Sequence, residues 1–101
     1  MDERKQLAAD LGPHMALILR NHGLLTVGRT VGESMVVMVT LEQAIGTQLR
    51  AMATGAELLV PDEMILDLTA RNRDGMNERT NARNWLTLMN LADRLDPSYR
   101  E

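Results

Sequence analysis

The spacing of apolar and polar positions changes repeatedly along this chain, and each change predicts an element. From Asp2 to Leu11, Leu7, Ala8 and Leu11 recur at helical steps among charged residues, and Gly12-Pro13 breaks the pattern. A short helix ending at Gly12 is expected. Met15-Ala16-Leu17-Ile18-Leu19 follows as an unbroken apolar run, too short for a free-standing helix, and it reads as a strand buried on both faces. Asn21-His22-Gly23 separates this run from Leu24-Leu25-Thr26-Val27-Gly28. A three-residue connection with glycine last suits a tight hairpin containing a left-handed residue.

Thr30-Val31-Gly32-Glu33 has the spacing of a capping box, with the threonine hydroxyl accepting from the amide of Glu33 and the glutamate reaching back to the amide of Thr30. A long helix is predicted from there to Gly55, since Met35, Met38, Leu41, Ile45, Leu49 and Met52 recur every three or four residues. Gly46 inside this helix suggests close approach of another backbone, because an interior glycine otherwise only weakens a helix. Val60-Pro61-Asp62 opens a third helix over Glu63 to Arg71, closed by Gly75. Asn77 or Thr80 caps a fourth, in which Ala82, Trp85, Met89 and Ala92 step by three and four until Asp96-Pro97 stops it.

The predicted order is therefore helix, β-hairpin and three helices, an α/β chain by class and α+β by content. A lone two-stranded hairpin is marginal in water, and the run from Met15 to Leu19 wants neighbours on both edges. Residues 1–101 accordingly read as a single partial domain, completed either by strands upstream of Met1 or by further copies of the chain. A homo-oligomer is expected.

Composition narrows the function. The chain has 101 residues, no cysteine, one tryptophan, one tyrosine and no phenylalanine, with a formal charge of -3. Without cysteine there is no disulfide framework, thiolate metal site or cysteine nucleophile. The acidic balance, the lack of basic runs and the scarcity of aromatic stacking platforms argue against a nucleic-acid partner. No segment approaches the roughly 18–20 apolar residues of a membrane span, and the start Met1-Asp2-Glu3-Arg4-Lys5 does not resemble a signal peptide. The expected location is the cytoplasm, with no membrane partner.

Candidate chemistry is sparse. His14 and His22 flank the apolar run, and an extended strand of that length would hold them ~26 Å apart, too far to share a metal. His22, between Asn21 and Gly23, sits where a pinned backbone can aim an imidazole outward as a ligand. Glu33 as a base competes with its capping role. The stripe Met35, Met38, Met52 fits core packing before an adaptable binding face. Arg71, Arg73, Arg79 and Arg83 are interleaved with Asp74 and Glu78, a solvated face rather than a phosphate site.

The segment Leu19-Arg20-Asn21-His22-Gly23-Leu24-Leu25-Thr26-Val27-Gly28-Arg29-Thr30-Val31-Gly32-Glu33 resembles a signature of the class II aldolase/adducin family. The likeness continues through Leu41-Glu42-Gln43-Ala44 and Gln48 and includes Leu11-Gly12. Trp85-Leu86 and Arg94-Leu95-Asp96-Pro97-Ser98-Tyr99 resemble the terminus of bacterial adducin-like members. The resemblance implies the C-terminal part of a three-layer α/β/α domain, in proteins that are usually homotetramers with active sites between subunits.

It further implies a zinc-dependent aldolase or epimerase acting on a sugar phosphate or related hydroxycarbonyl compound. Zinc in those enzymes is held by an upstream His-x-His pair and by the histidine that corresponds to His22, while an upstream carboxylate moves the proton. This sequence has no His-x-His pair, and the acid and phosphate-binding segments of the family precede the point matching Met1. His22 is thus the single family metal ligand, no catalytic residue is assigned, and the chain alone is expected to be inert and to hold zinc weakly. The alternative is a non-enzymatic adducin-like oligomerisation or interaction module. Tyr99 could reach a neighbouring subunit's site, as C-terminal tyrosines do in some relatives.

Overall fold

The computed structural model describes residues 2–74 and 78–101. Gly75 and Asn77, expected to close one helix and cap the next, lie outside the described residues, as do the side chains of Arg73 and Asp74. The described elements are four α-helices and a two-stranded antiparallel sheet in the order anticipated, followed by a terminal 3-10 turn outside that expectation.

Helix α1 (Glu3–Leu11) starts where the Asp2 carboxylate accepts from the Arg4 amide at 3.2 Å and ends at Gly12, whose φ of 52° favours glycine. Strands β1 (Ala16–Leu19) and β2 (Gly23–Thr26) pair with Ala16 opposite Thr26 and Leu19 opposite Gly23. The connection is therefore Arg20 to His22, one residue earlier than the spacing suggested. Its left-handed residue is Asn21 at φ 57°, a conformation that asparagine tolerates through local hydrogen bonding, while Gly23 already belongs to β2.

Helix α2 (Val31–Ala53) begins as predicted, with the Glu33 amide donating to Thr30 Oγ1 at 3.0 Å. The return half of the box differs: Glu33 Oε2 accepts from the Arg29 amide at 3.3 Å, not from Thr30, and also pairs with Arg29 Nε at 3.2 Å. Thr54 and Gly55, at φ 72°, end the helix. Helix α3 (Glu63–Asp74) starts from Asp62, whose carbonyl accepts from Ile65 and Leu66. Helix α4 (Glu78–Leu95) contains Thr80 within its first turn, so Thr80 is not its cap. Asp96 then accepts from the Ser98 amide at 2.9 Å and starts the 3-10 turn Pro97–Arg100.

Packing centres on α2, which lies against both β2 and α4. Val36, 8% exposed, and Gly32 are its buried residues. A Cβ at Gly32 would stand 2.7 Å from Trp85 Cγ, so glycine is what lets the indole rest on the helix backbone. Gly46, where a close approach was expected, faces open space. The half-buried face of α4 carries Asn81, Asn84, Trp85, Leu88 and Met89, whereas Ala82 and Ala92 of the predicted stripe are exposed. Met35 and Met52 are likewise exposed instead of packed in a core among the described residues.

The same shortage of cover corrects the reading of β1. Ile18 is 68% exposed, so the strand is not buried on both faces by this chain. The radius of gyration is 16.5 Å, against about 13 Å for a compact chain of this length. Accessible surface is 9002 Å², against roughly 5,700 Å² expected from its mass. Helix α3 accounts for part of the excess, since it makes no substantial packing contact with another described element. No described helix is long and apolar enough to cross a membrane.

Candidate functional site

The site begins with His22 at the hairpin tip. Its amide donates to the Leu19 carbonyl at 3.2 Å, closing the turn, and Asn21 takes the left-handed conformation that turns the chain. The imidazole is exposed. His14 stands at the opposite end of β1, its amide bound to the Leu11 carbonyl at 3.1 Å, so the two histidines are not brought together by the turn.

The hairpin is fastened to α2 by a reciprocal pair that the sequence pattern did not reveal. Thr26 Oγ1 donates to the Ser34 carbonyl at 2.9 Å, and Ser34 Oγ donates to the Thr26 carbonyl at 3.0 Å. The link ties the far end of β2 to the first turn of α2, which fixes the direction in which the hairpin leaves the helix. Gly28 permits it, because a Cβ there would fall 2.6 Å from the Ser34 amide nitrogen. The available signal was a hydroxyl at a strand end facing one in a helix's first turn, but only the fold shows that they meet.

Beside the hairpin lies a groove of about 450 Å³ between β1 and α2, walled by Ala16, Val36, Val37, Leu41 and Ala44. Arg29 and Glu33 stand at its edge as an ion pair, with the glutamate side chain 17% exposed and also holding the helix start. Glu33 is thus occupied structurally, and Arg29 is committed to it. His22 does not line this groove.

Among the described residues, no group of three or more histidine or carboxylate side chains is arranged to hold a metal ion. A zinc centre takes about four donors, three of them from protein in catalytic sites. His22 fits as one such donor, and the residues described here do not supply the others.

The remaining candidates resolve into surface features. Arg71, Arg79 and Arg83 are exposed. At the C-terminus, the Tyr99 hydroxyl donates to the Asp93 carboxylate, and Arg100 Nη2 donates to Asp93 Oδ2 at 2.6 Å. Arg100 Nε also donates to the Tyr99 oxygen at 3.2 Å. This contact with Tyr99, followed by the charge of Asp93, pushes the guanidinium pKa above its ordinary value. The terminal turn is thereby clasped to α4. Hydrogen bonds from Ser98 hold the Asp96 carboxyl below the usual carboxylate range.

Comparison with known proteins agrees with this architecture. Residues 1–49 match the family model described as the class II aldolase and adducin N-terminal domain. A Pseudomonas aeruginosa protein provisionally named as an aldolase of class 2 is 36% identical, the alignment covering 99% of this chain and 40% of that protein. An adducin-related protein of Schizosaccharomyces pombe is 30% identical over 97% of this chain and 32% of its own length. The crystal structure of an aldolase II superfamily protein from Pseudomonas syringae superposes with a TM-score of 0.88 at 34% identity, covering all of this chain and 41% of that one. The chain thus spans about 40% or less of the length of these relatives. With a matching family model, matching relatives and a matching fold, the chain belongs to the class II aldolase and adducin family.

Proposed function

We propose that the chain is the C-terminal part of a zinc-dependent class II aldolase or epimerase acting on a sugar phosphate or related hydroxycarbonyl compound. In this reading His22 is one imidazole ligand of the metal, and the protein is a cytoplasmic homo-oligomer. The carrying observation is the position of His22: a family member presents this histidine, exposed, at the tip of a hairpin whose base is locked to a long helix. Rigid presentation is what a metal ligand needs, since a donor free to wander loses affinity through ordering entropy. The Thr26–Ser34 pair and Gly28 serve that rigidity.

The remaining donors and the proton-transferring acid are assigned to sequence outside residues 1–101, so the isolated chain is expected to be inert. Two measurements test this. The reading frame upstream of the Met1 codon should encode a His-x-His pair, and the longer protein should bind zinc and cleave or epimerise hydroxycarbonyl phosphates in a manner lost with His22→Ala. A frame without such a pair, or turnover indifferent to His22→Ala, overturns the proposal and favours an adducin-like interaction module. In calorimetric titration the isolated chain should take zinc only weakly, and submicromolar binding abolished by His22→Ala would show that this chain supplies further ligands.

A further inference from the structure

His22 is framed by two residues in unusual backbone conformations. Asn21, at φ 57°, is the one described residue other than glycine with a positive φ, and Gly23 on the other side has φ 134°. A Cβ at Gly23 would meet nothing within 4 Å, so room is not what calls for glycine there. The dihedral is. Gly28 and Gly32 differ in this respect, since a Cβ at either would run into the Ser34 backbone or the Trp85 ring. Pairing of Leu19 with Gly23 closes the loop over three residues, and so short a loop reverses the chain with few sets of dihedrals.

The imidazole is exposed, so packing does not aim it. Its direction comes from the Cα–Cβ bond, which is oriented by the backbone on either side. Histidine donors of a zinc centre must converge to about 2.0–2.1 Å from one point. Once residue 21 or 23 leaves its positive φ, the reversal is rebuilt and the ring nitrogen moves away from that point. Metal then binds only the fraction of molecules in which the native turn is formed, and the apparent dissociation constant rises by the inverse of that fraction.

We infer that Asn21 and Gly23 are positioning residues, whose positive-φ backbone aims the imidazole of His22 at the metal without any contribution from the asparagine carboxamide; this rests on the ligand role proposed above for His22. Zinc affinity of the longer, metal-free protein, measured by competition with a chromophoric chelator, tests it. Asn21→Gly keeps the left-handed region open and should bind zinc within about threefold of the unaltered protein. Asn21→Val places a β-branched residue where such a φ is an outlier. It should weaken zinc about tenfold, the lower end of what loss of an orienting group costs a metal site. Gly23→Ala should do likewise, with no clash to complicate the result. Gly12→Ala is the control: Gly12 has φ 52° ahead of β1, at the end opposite the tip, and its substitution should strain the backbone without changing zinc affinity. Hydrogen exchange of the His22 amide, which is bonded to the Leu19 carbonyl, reads the turn without metal. It should be faster in Asn21→Val and Gly23→Ala than in Asn21→Gly.

Equal loss of affinity in Asn21→Gly and Asn21→Val would give the role to the carboxamide and overturn the inference. An equal loss in Gly12→Ala would do the same by reducing the effect to general stability. Should Asn21→Val fail to fold, Gly23→Ala and Asn21→Gly carry the decision. Unchanged affinity in Asn21→Val and Gly23→Ala, with tight binding removed by His22→Ala, would overturn the positioning role and leave the ligand reading intact. Unchanged affinity in His22→Ala would overturn the ligand reading itself.

Discussion

The hairpin with α2 and α4, and the arm formed by Leu58 to Asp74, carry similar proportions of apolar residues yet stand in different physical situations. The first region is held by specific contacts between its elements: Thr26 against Ser34, Thr30 and Arg29 against Glu33, and Gly32 under Trp85. The arm has the helical pattern but no such neighbour, and its large apolar side chains remain exposed. The difference teaches that amphipathic spacing specifies a face, whereas burial needs a second surface shaped to it. Substitutions in the two regions should therefore diverge in what they disturb.

The largest effect is expected where the first region is tightest. Gly32→Leu must displace Trp85, and Trp85→Ala removes the main side chain between α2 and α4. Each should cost about 2–3 kcal/mol, the range for overpacking and for truncating a large, partly buried aromatic. Urea unfolding followed by circular dichroism measures this, and a loss below half a kcal/mol for both would mean that the two helices are held by other contacts.

Next come Thr26→Val and Ser34→Ala. Each leaves a partly buried carbonyl without its hydroxyl donor, for about 1 kcal/mol apiece. Their double variant should lose less than the sum, because the two hydroxyls share one link. Full additivity in the same unfolding assay would show that the two bonds act independently. By contrast Met64→Ala and Ile65→Ala in the arm should alter the stability of the monomer by no more than about 0.5 kcal/mol. Equal destabilisation in both regions would erase the comparison.

The smallest effect concerns pH. The folded Asp96 carboxyl is held below its ordinary value by hydrogen bonds from Ser98. A lowered folded pKa means that the unfolded chain binds the proton first as pH falls, so the contribution is complete above the ordinary carboxylate range and is lost as pH falls through the lower folded value. Asp96→Asn should flatten this part of the acid titration of the terminal turn, its small loss being present at neutral pH and vanishing below the folded pKa. An NMR titration of the Ser98 amide follows it directly, and an unchanged profile in the variant would show that Asp96 does not carry the acid response.

Much of the local structure could be read from residue chemistry alone. Gly12 and Gly55 end helices because left-handed backbone suits glycine, Thr30 starts α2 because its hydroxyl takes the Glu33 amide, and Asn21-His22-Gly23 marks the turn because few residues accept its conformation. The same segment pointed to His22 and to the family. These are short-range effects, decided within a few residues.

Tertiary structure decided the rest. It moved the hairpin connection to Arg20–His22, gave Glu33 the Arg29 amide in place of that of Thr30, and made Gly32 rather than Gly46 the point of close contact. It also turned Asn81, Asn84 and Leu88 inward and left Ala82 and Ile18 outside. Those outcomes depend on which surfaces meet across the chain, and periodicity can name a face of a helix or strand without specifying what will come to rest against it.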